Sequence, residues 1–178
     1  MTPMRATPGQ VAPTTDGVIS QQRGYLELLV SHETRLWNAV EQALLREGSP
    51  LTMARLKVME VIRDTSPARV QDVADQVLIS VGAASRLVDR LVGDGLVRRD
   101  AHPNDRRSSE LSLSAAGTLA LADALGKLGS VLPELIGRLD QRLVERLSTQ
   151  LAQADAQLRA TIARPKPRNT KSTGPAGE

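Results

Sequence analysis

The sequence predicts a mainly α protein with a small β-hairpin wing: a winged helix-turn-helix between long N- and C-terminal helices. Three observations predict it. From Gly95 to Gly117 two short strand-like runs flank a turn tipped with arginines. Just before it, two short amphipathic segments are separated only by Leu78-Ile79. The composition is 40% hydrophobic but 1% aromatic, with no Phe, one Trp and one Tyr. Such a core must be built from Leu, Val, Ile, Ala and Met, which favours helices packed through aliphatic stripes.

Residues 1–18, with Pro3, Pro8, Gly9, Pro13 and Gly17 among small polar residues, predict a disordered arm. Residues 19–50 follow as an N-terminal dimerisation helix, from about Ser20 to Arg46. Its apolar residues Leu26, Leu29, Val30, Leu36, Trp37, Val40 and Leu44 recur at helical spacing, and Gly48 and Pro50 end it. The winged lobe spans 51–113. Thr52 can cap a helix carrying Leu56, Val58, Met59 and Ile62 to about Thr65, and Pro67 marks a break. A short helix over about Val70 to Val77 points Val73, Ala74 and Val77 inward. After the turn, Ser80 caps a helix to about Asp94, with Ala84, Leu87, Val88 and Leu91 on its inner face. Gly95 stops it. Leu96–Arg99 and Glu110–Leu113 predict the paired strands of the wing. Residues 114–163 form the C-terminal helices: one capped by Ser114, then a last one from about Asp140 to Ala163. On the last, Leu143, Leu147, Leu151, Ala154, Leu158 and Ile162 make a near-heptad stripe. Residues 164–178 predict a disordered basic tail.

Composition bounds the function. The chain of 178 residues is long enough for a sizeable core. It has no cysteine, which excludes disulfides, thiolate metal sites and thiol redox sensing. No apolar run approaches the roughly 20 residues of a membrane span, and the start lacks the blocks of a signal peptide, so no membrane partner and a cytoplasmic location are expected. The net charge of +3 sits entirely in the tail, where Arg164, Lys166, Arg168 and Lys171 face only Glu178. The rest of the chain is neutral, so any DNA-binding face must come from local placement of charge. The tail itself reads either as a salt-sensitive DNA contact or as a solubilising end. His32 and His102 have no partner at metal-ligand spacing, and no Gly-rich phosphate loop or nucleophile motif is present. No enzyme activity, metal or cofactor is expected.

A hairpin ending in Asp105-Arg106-Arg107 has little to do in a soluble core. Beside a helix able to enter a major groove, it has a partner in the adjacent minor groove. The pairing predicts sequence-specific binding of double-stranded DNA.

Laid end to end, the helix-turn-helix and wing resemble the MarR family of bacterial transcriptional regulators. The resemblance rests on Ser85-Arg86-Leu87-Val88-Asp89-Arg90-Leu91, then Gly95-Leu96-Val97, Asp105-Arg106-Arg107, Leu113-Ser114 and Gly117. It implies a homodimer held by the long terminal helices, which reads a palindromic operator with two recognition helices in successive major grooves. It further implies a repressor released by a small aromatic or phenolic effector bound between the dimer helices and the DNA-binding lobe. His32, Arg35, Trp37 and Arg55 put cationic or rare aromatic groups near that junction. The alternatives are a DNA-binding regulator with no ligand and a winged-helix protein-interaction scaffold.

The candidate DNA-binding residues are Ser80, Gly82, Ala83, Ser85, Arg86, Arg90, Asp105, Arg106 and Arg107. Arg86 can take a guanine edge or a phosphate; the bland alternative is a surface pair with Asp89 or Asp94. Ser80 is first a helix cap, at a helix start whose amides can also hold a phosphate. Ser85 reads as a phosphate or a base contact. Gly82 and Ala83 permit close approach, and an Ala methyl can pack on a thymine methyl. Asp105 can hold Arg107 in a fixed direction for a narrow minor groove, leaving Arg106 for a phosphate. Arg98 and Arg99, at the wing base, suit a phosphate or solvent. The chain departs from the family pattern at three places. Leu78 replaces a common turn glycine, which predicts a looser turn. Gly82 and Ala83 replace base-reading side chains, and Arg55 with Leu56 replace a Gln and an aromatic residue.

Overall fold

The computed structural model describes residues 15–163 except 103 and 104, with the side chains of 101–108 outside the description. Six helices and one hairpin follow in order: α1 (Thr15–Arg46), α2 (Met53–Asp64), α3 (Val70–Val77), α4 (Val81–Gly93), β1 (Val97–His102), β2 (Asp105–Leu113), α5 (Ala115–Ile136) and α6 (Gln141–Ile162). The chain divides into a unit ending at Leu135 and a second from Ile136 onward.

Each helix of the lobe starts where a side chain can receive its free amides. Thr52 accepts from Arg55 N–H at the head of α2, and Glu41 of α1 accepts from Met53 N–H at 2.8 Å. Asp72 accepts from Arg69 N–H at 2.7 Å to open α3, and Ser80 Oγ accepts from Ala83 N–H at 3.2 Å to open α4. The inner faces then meet in one core. Leu56, Val58, Met59 and Ile62 of α2 pack with Val73 and Ala74 of α3, Ala84, Val88 and Leu91 of α4, Val97 of β1 and Leu111 of β2. Leu121 and Ala124 of α5 close it, and among the described residues no polar or charged residue is buried. A smaller cluster ties the end of α1 to α5: Val40, Leu44 and Met53 pack with Leu36, Leu128, Leu132 and Leu135.

The turn between α3 and α4 is not looser for lacking glycine. Leu78 itself takes the left-handed conformation (φ 60°, ψ 43°), and its N–H and that of Ile79 both bond to the Ala74 carbonyl. The chain keeps the tight turn and accepts a backbone cost of roughly 1–2 kcal/mol for a Cβ in that region. The side chain is 81% exposed, so no packing offsets this.

The wing is longer than its apolar residues predict. β1 and β2 pair antiparallel with Val97 opposite Leu113 and Asp100 opposite Glu110, and the register shifts between Ala101 and His102. Hydrogen bonding of the ladder carries polar residues that alternation does not mark. Ala68, fully buried, adds an isolated bridge to β2 by accepting from Leu111 N–H at 2.8 Å. The base of the wing closes on the start of α5. Ser114 Oγ donates to the Gly95 carbonyl at 2.7 Å and accepts from Gly117 N–H at 2.9 Å, while Ser114 N–H reaches the Leu96 carbonyl at 3.0 Å. A Cβ on residue 117 would stand 1.9 Å from Leu96 O, so only glycine fits there.

α1 begins at Thr15, so the last four residues of the predicted arm are helical. α6, taken by itself, is an amphipathic helix with Asp140 accepting from Arg142 N–H at 2.9 Å and none of its residues buried. The predicted basic tail, 164–178, and the first fourteen residues of the arm lie outside the described residues.

Candidate nucleic-acid interface

α4 owes its orientation to its inner face. With Ala84, Val88 and Leu91 fully buried, Gly82, Arg86 and Arg90 are exposed, and Ala83 and Ser85 are half-buried at its flanks. Arg86 lies along the helix over Gly82, its Nη1 3.8 Å from where a Cβ of residue 82 would sit. Ser80 is occupied by its capping bond to Ala83 N–H. Ser85 Oγ is 3.4 Å from Asp89 Oδ2, a long bond that points it along the helix.

The acidic residues near Arg86 do not pair with it. Asp89 accepts from Arg99 Nη2 of β1 at 2.9 Å, and Asp94 accepts from Arg55 Nη2 of α2. Among the described residues, no side-chain hydrogen bond or ion pair holds Arg86 or Arg90. Two guanidinium groups therefore stand on the outer side of one helix without a partner among the described residues. Arg99, read from sequence as a phosphate or solvent group, is committed to α4, and Arg98 reaches Ser112 Oγ at 3.4 Å. For Asp105, Arg106 and Arg107 the backbone is strand β2, and their side chains lie outside the described residues.

The four candidate effector residues do not form one cluster. His32 and Arg35 are exposed on α1, and Trp37 is 37% exposed. With about 3.6 residues per turn, Trp37 points to a different side of α1 from both. Arg55 is turned toward Asp94, with its Nε buried and lacking an acceptor. No signal local to the sequence could have found the Arg55–Asp94 or Asp89–Arg99 pairs, because each joins two elements. Among the described residues no group of three His, Cys, Asp or Glu could hold a metal, and no helix is long and apolar enough to cross a membrane.

A model of the MarR family matches residues 51–109, from the residue before α2's cap into the wing. That match identifies residues 51–109 as a MarR-family domain. Solved structures agree in fold. A mutant MarR from E. coli in complex with operator DNA superposes with a TM-score of 0.65 at 24% identity, covering 72% of this chain and 91% of that one. The M. tuberculosis transcriptional regulator MOSR, in complex with DNA, is 26% identical with a TM-score of 0.59, over 75% of this chain and 97% of that one. BpsR of Bordetella bronchiseptica, described through regulation of its DNA binding by 6-hydroxynicotinic acid, is 18% identical. It gives a TM-score of 0.65 over 84% and 98%. No curated protein sequence matches the chain significantly. The matched residues are the winged helix-turn-helix described above.

Proposed function

We propose that the protein is a homodimeric, sequence-specific DNA-binding transcriptional regulator of the MarR family. α4 enters the major groove and the wing lies in the adjacent minor groove. The observation that carries this reading is a pair of arginines, Arg86 and Arg90, without side-chain partners among the described residues, on the outer side of a helix whose inner face is fully buried. Arg86 takes a guanine edge or a phosphate, Arg90 a phosphate, and Gly82 with Ala83 let the backbone approach the bases. Ser80 and Ser85 stand at the helix start, where amides and hydroxyls suit phosphate oxygens. Asp105 orients Arg107 into the minor groove, and Arg106 meets the backbone. That the similar MarR and MOSR structures are complexes with DNA supports the DNA-binding reading.

The apolar faces of α1 and α6 support a dimer. Tyr25, Leu26 and Val30 on α1, and Leu151, Leu158 and Ile162 on α6, are exposed in the single chain, a surface that soluble proteins cover. A dimer reads two half-sites of a palindrome about one helical turn apart. Bound over a promoter, it excludes polymerase, so repression is the sign of regulation we favour. Release by a small aromatic effector is supported by the ligand named for BpsR. Such a ligand acts only by favouring a dimer whose recognition helices are wrongly spaced. His32, Arg35, Trp37 and Arg55 remain the residues to vary in a search for it.

The test is a gel shift on the DNA upstream of the gene at about 150 mM salt with excess competitor, where weak electrostatic binding is suppressed. A discrete complex that survives competition is expected. Arg107→Ala should weaken it by on the order of 1–3 kcal/mol with the fold intact. Unchanged affinity in a folded variant contradicts the wing assignment.

A further inference from the structure

α4 carries two acidic residues that cost it something. Asp89 is exposed on the side that faces the wing, where a carboxylate repels phosphates. Asp94 caps the C-terminus, where the helix dipole disfavours negative charge. Each also has a local arginine at helical pairing distance: Arg86 is three residues before Asp89, and Arg90 four before Asp94. Neither local pair is made. Asp89 is bonded instead to Arg99 of β1 at 2.9 Å, and Asp94 to Arg55 of α2, 39 residues earlier. The second bond holds Arg55 in place although its Nε is buried without an acceptor, a cost that water-facing arginines avoid.

We propose that Asp89 and Asp94 are positioning residues for DNA reading. They clamp the recognition helix to the wing at one point and to α2 at the other. The clamps set the direction of α4 relative to the minor-groove element, and by engaging arginines from outside the helix they leave Arg86 and Arg90 free for nucleic acid. The inference rests on the proposed function, and its test separates the two.

Electrostatics alone and the clamp predict opposite signs. Removing a negative charge beside a polyanion should tighten binding to every duplex, and more so at low salt. Loss of a clamp should instead loosen binding to the operator and leave random duplex unchanged or tighter. The experiment uses the full-length protein, a duplex recovered by selection from a random pool, and a scrambled duplex of equal composition. Asp89→Asn and Asp94→Asn are compared with the unsubstituted protein, with thermal melting of each. Exposed ion pairs are worth up to about 1 kcal/mol, so the ratio of operator to scrambled affinity should fall roughly three- to fivefold. The swap Arg55→Asp with Asp94→Arg should recover most of it, and it carries the test if Asp94→Asn melts below the assay temperature. Tighter binding to both duplexes with the ratio unchanged overturns the proposal, as does a swap that folds without recovery. If the unsubstituted protein itself selects no duplex, the DNA-binding reading falls and the clamp falls with it.

Discussion

The winged lobe and the long terminal helices are made from the same aliphatic residues, and they end in opposite conditions. In the lobe, twelve residues from α2, α3, α4, β1 and β2 form a closed core with two more from α5. On α1 nothing before Val40 is buried, and α6 buries nothing. The difference is one of partners. Three short helices crossing a hairpin can cover each other's apolar faces within one chain. A long helix with a stripe along its length needs another long helix, and here the uncovered stripes are what we assign to a second copy.

The largest expected effect tests whether the lobe is self-sufficient. Leu56 is fully buried at its centre, and Leu56→Ala should destabilise it by about 2–5 kcal/mol, read by chemical denaturation. A loss below about 1 kcal/mol would mean that the lobe's stability comes from elsewhere. Next is Gly117→Ala. Its Cβ would collide with the Leu96 carbonyl, which is already held by Ser114 N–H, so relief requires the wing base to open. Destabilisation of about 1–3 kcal/mol is expected, with weaker DNA binding because the hairpin is displaced. The terminal helices should respond in another way. Leu151→Glu places a charge on the exposed α6 stripe and should weaken dimerisation at least tenfold (about 1.4 kcal/mol) in sedimentation velocity, while amide exchange in α2–α4 stays slow. A dimer of unchanged strength would remove α6 from the interface. The smallest effect has the opposite sign. Leu78→Gly should stabilise the lobe by about 1 kcal/mol, because it removes a Cβ from a left-handed residue whose side chain packs on nothing. A lower melting temperature would show that Leu78 has a contact made only in the assembly.

The same contrast decides how much was legible in the sequence. Helix starts at Thr52 and Ser80 and the stop at Gly95 could be read because caps and stops are local chemistry, and α3 spans the predicted residues. The inner face of α4 followed from periodicity alone. Longer-range effects were not legible. The strands extend to Ala101-His102 and back to Asp105 because ladder bonds do not depend on apolar alternation. The bridge at Ala68 forms across a break marked only by Pro67. Leu78 adopts the glycine conformation because the helices on either side dictate the turn. Of the DNA-reading set, spacing placed Arg86 and Arg90 outward, yet it offered Asp89 or Asp94 as a partner for Arg86. Only the fold could show that those acids are taken by Arg99 and Arg55. Free or paired is the property on which the function turns, and it is a tertiary property.

The most direct test of the central claim is selection of bound duplexes from a random-sequence pool, followed by footprinting of the recovered site. The account predicts a palindrome with two protected half-sites centred about 10–10.5 base pairs apart, lost when Arg86 is replaced by Ala. A recovered pool indistinguishable from the input, or a single unpaired site bound equally well by Arg86→Ala, would contradict it.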